Sequence, residues 1–154
     1  MKFKVKLVIS SALVALAIGA ALPAVAADSA DNAIKYRQTV MKAMAGHMGA
    51  IAAIVTGKIS AKDDLKAHAT AMEAMASVVP HLFPEGSDFG ETEALPAIWQ
   101  KPDDFKKAVA AYVTAADMMN KAAMGGDMAA TGAALKALGG SCGGCHKSFR
   151  EKKK

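Results

Sequence analysis

Apolar residues recur at helical spacing in four stretches of the chain, and nowhere do they alternate with polar ones as a half-buried strand requires. The first stretch predicts a helix from about Asn32 to Thr56, stopped at Gly57. Ile34, Met41, Met48 and Val55 return every seven residues, with Met44 and Ile51 between them, an a/d stripe that faces a helical partner. The second opens on Ser60 with Asp63 three residues on, a capping-box pattern, and carries Leu65, His68, Met72, Met75 and Val79 until Pro80 ends it. The third starts near Pro102, a favoured first-turn residue, passes through Phe105, Val109, Tyr112, Ala116 and Met119, and ends at Gly125-Gly126. The fourth runs from about Asp127 almost to the C-terminus with Met128, Leu135, Leu138, Cys142, Cys145 and Phe149 on its stripe.

Two short connections and one long one join these helices, which predicts an all-α fold, an up-and-down antiparallel four-helix bundle. The long connection, from Pro80 to Pro102, holds Pro84, Pro96, Gly86 and Gly90 and breaks the periodicity. Leu82, Phe83, Leu95, Ile98 and Trp99 predict that it packs on the bundle and does not hang as a linker.

Residues 1–26 fall outside this pattern. Lys2, Lys4 and Lys6 precede an uncharged run from Leu7 to Leu22, and Ala24-Val25-Ala26 has the small-x-small form of a cleavage site. The run is shorter than the roughly 20 apolar residues of a spanning helix. The expectation is a cleaved export signal at 1–26, a single domain at 27–154, a periplasmic location and no stable membrane insertion. Loss of the three signal lysines takes the formal net charge from +5 to +2. So small an excess gives no reason to expect a nucleic-acid partner.

The chain has only two cysteines. In an exported protein two cysteines would ordinarily pair, but here they stand in Cys142-Gly143-Gly144-Cys145-His146, the attachment signature of a c-type haem. Positions i, i+3 and i+4 share one face of a helix. Two thiols three apart therefore reach the vinyl groups of one porphyrin, and the next imidazole points at its iron. Gly143 and Gly144 keep bulk off that face, and Gly139 and Gly140 thin the preceding turn at a helix cost of up to roughly 1 kcal/mol each. A thioredoxin-like reading needs a βαβ context that the pattern lacks, and a zinc site needs further ligands at metal spacing. The cofactor expected is one covalent haem c with its iron, held inside the bundle as bundle cofactors are.

A second axial ligand decides what such an iron does. A Met thioether gives a six-coordinate electron-transfer site, whereas an open position admits small gases. On the first helix, Met41 and Met44 are both candidates, although a Met on such a stripe ordinarily serves as core packing. Arg37, four residues before Met41 on the same face, can pair with a haem propionate or stand as a surface charge. His47, His68 and His81 are further candidate haem ligands, but His68 falls on an inward stripe and reads as a core or rim histidine, while His47 and His81 read as exposed. Lys147, Arg150 and the terminal lysines follow the motif and suit either the helix dipole or an acidic redox partner.

Taken together, the signal, four helices, Lys35-Tyr36-Arg37-Gln38-x-x-Met41 and a C-terminal C-x-x-C-H followed by Phe149-Arg150 resemble the class II c-type cytochromes, the cytochrome c′ family and its low-spin branch. Leu82-Phe83-Pro84 and Ile98-Trp99 are similar to that family's connection between the second and third helices. The resemblance implies thioethers at Cys142 and Cys145, an axial bond at His146, Arg37 beside a propionate and Met41 on the distal side, with Met44 as second choice. It also implies a frequent homodimer and periplasmic redox partners. The function expected is a six-coordinate His/Met electron carrier. The alternative is a five-coordinate cytochrome c′ that binds nitric oxide or carbon monoxide. No nucleophile–base pair is readable, so no enzyme is expected.

Overall fold

The computed structural model describes residues 29–152, so the expected signal at 1–26 lies outside the described residues, as do Lys153 and Lys154. Among the described residues five α-helices follow one another: α1 Ala30–Val55, α2 Asp64–Ala74, α3 Ala97–Gln100, α4 Pro102–Gly125 and α5 Met128–Phe149. The four long ones pack in a closed ring, with α1 on α2, α2 on α4, α4 on α5 and α5 on α1. That ring is the expected four-helix bundle. The single turn of α3 belongs to the long connection.

Local chemistry sets most of the helix ends. The Ser29 hydroxyl accepts a hydrogen bond from the Asn32 N–H at the start of α1. Gly57 and Gly126 lie in the left-handed region with φ of 73° and 75°, which stops α1 and α4 as their positions predicted. Asp103 and Asp104 complement the dipole in the first turn of α4. The Asp127 carboxylate accepts from the N–H groups of Ala129 and Ala130 and starts α5.

Two expectations are corrected. The Ser60–Asp63 capping box does not form. Asp63 is the N-cap of α2 but already has helical backbone angles (φ −67°, ψ −28°), and its side chain makes no capping bond. The second helix also ends sooner than Pro80. It gives way to two 3₁₀ turns, Met75–Ser77 and Val79–His81, and Pro80, which has no N–H to continue an α-helical ladder, sits in the second of them.

The core is the meeting line of the four long helices. Ile51, Met72, Met119 and Leu138 are fully buried there, and Leu82 of the connection joins them. On α1 the buried stripe is Ile34, Arg37, Val40, Met44, Ile51 and Ile54, with Met41, Met48 and Val55 half-buried at its edge. A straight helix drifts against a seven-residue repeat, so the strict heptad reading placed these three too far inward. No helix among the described residues is long and apolar enough to cross a membrane.

Candidate functional site

The last three turns of α5 carry Cys142, Cys145 and His146, and the helix ends at Phe149 against a clasp. The Leu95 N–H donates to the Phe149 carbonyl (3.0 Å), and the Glu151 N–H donates to the Glu93 carbonyl (2.8 Å). An isolated antiparallel bridge pairs Ala94 with Arg150. The clasp fixes the end of α5 against the long connection and closes one side of a cleft of about 470 Å³, within the usual range for a cofactor pocket.

Cys145 and His146 line this cleft from α5, and Arg37, Met41 and Ala45 line it from α1. Phe83, Thr92, Ile98 and Phe149 complete much of the wall. Cys142 lies one turn earlier and packs on the edge of the main core. The cysteines are half-buried and not joined to each other. Burial pushes both thiols above their ordinary range. Burial, and then the nearby Arg150 charge, push the His146 imidazole below its ordinary value. A neutral imidazole is the form that binds a metal.

The two methionines separate cleanly. Met41 is half-buried and faces the cleft, whereas Met44 is 8% exposed and belongs to the bundle core. The glycines separate as well. A Cβ at Gly140, Gly143 or Gly144 would meet no protein atom within 4 Å, but one at Gly139 would come within 3.3 Å of the Met48 methyl. The thinning at Gly139 thus admits a neighbouring side chain.

Arg37 is not a surface charge. It is 4% exposed, and burial lowers its pKa. Its Nη1 donates to the Leu82 carbonyl and the Ser87 hydroxyl, and its Nη2 donates to the Ser87 carbonyl and the Thr92 hydroxyl. Phe83 in turn packs edge-on to Phe105 and Trp99, and Phe105 packs on Phe149. Arg37 therefore secures the connection that walls the cleft. Sequence reasoning missed Thr92, Glu93 and Ala94 as lining residues, since a two-residue pairing leaves no periodic signal. His47 is half-buried, contrary to the expectation of an exposed side chain, and contacts His68. His81 is exposed, as read from the sequence.

This donor set fits a haem c: two unpaired thiols at helical spacing, a neutral imidazole beside them, and an adjoining cleft of cofactor size. The comparisons agree. A family model described as cytochrome c′ matches residues 32–150. The chain belongs to the cytochrome c′ family. The cytochrome c′ of Pararhodospirillum photometricum is 41% identical over 119 residues, covering 77% of this chain and 95% of that protein. The crystal structure of cytochrome c′ from Rubrivivax gelatinosus superposes with a TM-score of 0.75 at 33% identity, over 79% of this chain and 97% of that one. A ferrous variant of cytochrome c prime from Alcaligenes xylosoxidans with bound nitric oxide has a TM-score of 0.75 at 29% identity, over 80% of this chain and 97% of its own. The cofactor of the cytochrome c′ family is one covalent haem c with its iron.

Proposed function

We propose that this member of the cytochrome c′ family is a periplasmic haem protein that binds small diatomic gases, nitric oxide or carbon monoxide, at an open axial position. In this reading Cys142 and Cys145 form the thioethers and His146 is the proximal ligand. The observation that carries it is the make-up of the cleft. His146 is the one imidazole among its lining side chains, and the α1 wall opposite offers Met41 and Ala45 with no second imidazole, while the Lys42 side chain is exposed to solvent. The nitric oxide held by the Alcaligenes xylosoxidans relative supports it. A haem held by these residues would supply an iron able to bind a diatomic gas. The chain's own groups keep His146 neutral, line the cleft with the apolar Phe83, Ile98 and Phe149, and use the terminal nitrogens of Arg37 to fix the connection, which leaves only its Nε–H for a propionate at the cleft wall.

A second reading has its own support. Met41 is the only thioether among the cleft-lining side chains, and a bond from its sulfur would make the iron six-coordinate and the protein an electron carrier. Lys42, Lys147 and Arg150 are exposed around the cleft and suit an acidic redox partner. A homodimer is compatible with either reading. Electron paramagnetic resonance of the ferric protein, followed by carbon monoxide addition to the ferrous form, decides. A high-spin signal and ready carbon monoxide binding support the first reading. A low-spin signal with no carbon monoxide binding overturns it in favour of the second.

A further inference from the structure

His47 on α1 and His68 on α2 meet outside the haem cleft, with their Nδ1 atoms 2.9 Å apart. Their ring centroids are 5.2 Å apart. That is the separation expected when two imidazoles point their Nδ1 corners straight at each other, the contact being lengthened by one nitrogen-to-centroid radius at either end. The two lone-pair directions therefore share one axis. In the neutral pair a single proton fills that axis, with one ring donating from Nδ1 and the other accepting.

No group of three or more His, Cys, Asp or Glu side chains able to hold a metal ion occurs among the described residues. That favours one class of ion. Zinc wants four ligands in a tetrahedron, and copper(II) or nickel(II) wants a tetragonal set, so any of these would have to draw its remaining ligands from water. Two collinear nitrogens by themselves complete the set of an ion content with two ligands at opposite poles, a d¹⁰ monocation.

We propose that His47 and His68 form a linear two-nitrogen site for copper(I), with silver(I) as its redox-inert probe. Binding widens the Nδ1 separation to about 4 Å, two metal–imidazole bonds of roughly 2.0 Å each, through rotation of two half-buried side chains. The proton between the rings moves through solvent to Nε2 of the same ring, and each Nδ1 then donates its lone pair to the ion. The neutral pair loses no proton, and no electron is transferred. The bound ion ties α1 to α2 across the turn at Gly57.

The test is a silver(I) titration of the haem-loaded full chain by calorimetry at neutral pH, in buffers of different ionisation enthalpy. It compares the parent with His47→Gln, His68→Gln and the double variant Met118→Leu/Met124→Leu. Met118 and Met124 are exposed thioethers and so the competing soft donors. The expected result is one strong site without buffer dependence. Each histidine change should weaken it by more than the roughly 10–100-fold that losing an outer-shell partner costs, and the methionine pair should leave it intact. Parent-level affinity in either histidine variant, or loss of the site with the two methionines, overturns the proposal. The His47 and His68 ring protons of the parent must also move in the NMR spectrum as silver is added. Unmoved resonances overturn the proposal whether or not the variants fold.

Discussion

The Arg37 guanidinium lies over the Phe83 ring, 5.0 Å from its centroid, while its terminal nitrogens hold Leu82, Ser87 and Thr92. One side chain of α1 thus fastens both the backbone and the aromatic ring of the connection over the cleft. Replacing Arg37 by Met takes the guanidinium partner from the carbonyl of the fully buried Ser87, whose hydroxyl still donates to the Pro84 carbonyl, and removes several charge-assisted bonds. The expected loss is about 3 kcal/mol, read as a lower urea midpoint. Arg37→Lys should recover less than half of it, because an ammonium cannot reproduce the planar fork.

Met41→Leu and Met44→Leu should behave differently although they lie one turn apart. Met41 faces the cleft, so its replacement changes the optical spectrum or the gas-binding rate of the haem-loaded protein. Met44 sits in the core. Its replacement should cost less than about 1.5 kcal/mol, as volume-conserving core changes do, and leave the spectrum unaltered.

Tyr112 is buried, and its hydroxyl donates to the Met72 carbonyl at 2.5 Å, joining α4 to α2. Burial drives its pKa well above the ordinary phenol value. An acid whose folded-state pKa is raised stabilises the fold below its unfolded value, near pH 10, and loses that contribution as pH climbs beyond it. Tyr112→Phe should cost about 1 kcal/mol at pH 7 and flatten the alkaline limb of a stability–pH curve.

Two glycines should respond to alanine in opposite directions. At Gly139 the new methyl meets only the flexible end of Met48, so the gain in helix propensity, up to about 1 kcal/mol, prevails. At Gly126, with φ of 75°, a Cβ is strained, and a loss of about 1 kcal/mol is expected. Thermal melts of the two variants read the sign directly.

The bundle was legible because its information is local: caps, left-handed glycines and apolar stripes each act within a few residues of their position. The haem motif was legible for the same reason, since Cys142, Cys145 and His146 share two turns of one helix. Other features depend on distant partners. Arg37 reads as a propionate partner or a surface charge until the oxygens of Leu82, Ser87 and Thr92 arrive from some fifty positions away. The Ala94–Arg150 bridge and the His47–His68 contact are likewise agreements between remote segments. The Ser60–Asp63 box shows the converse, a local signal overruled because the chain enters α2 already coiled.

The clasp between Glu93–Leu95 and Phe149–Glu151 sets an order of events. Arg37 lies near one end of the described chain and Arg150 near the other, so a polypeptide that emerges from its N-terminus presents an unfinished trough until its final stretch is delivered. Contacts of such long sequence separation form late and slowly. Before the last rung of the clasp forms, the two half-buried thiols are less enclosed than after it, so under the proposed haem attachment loading is easiest ahead of the clasp.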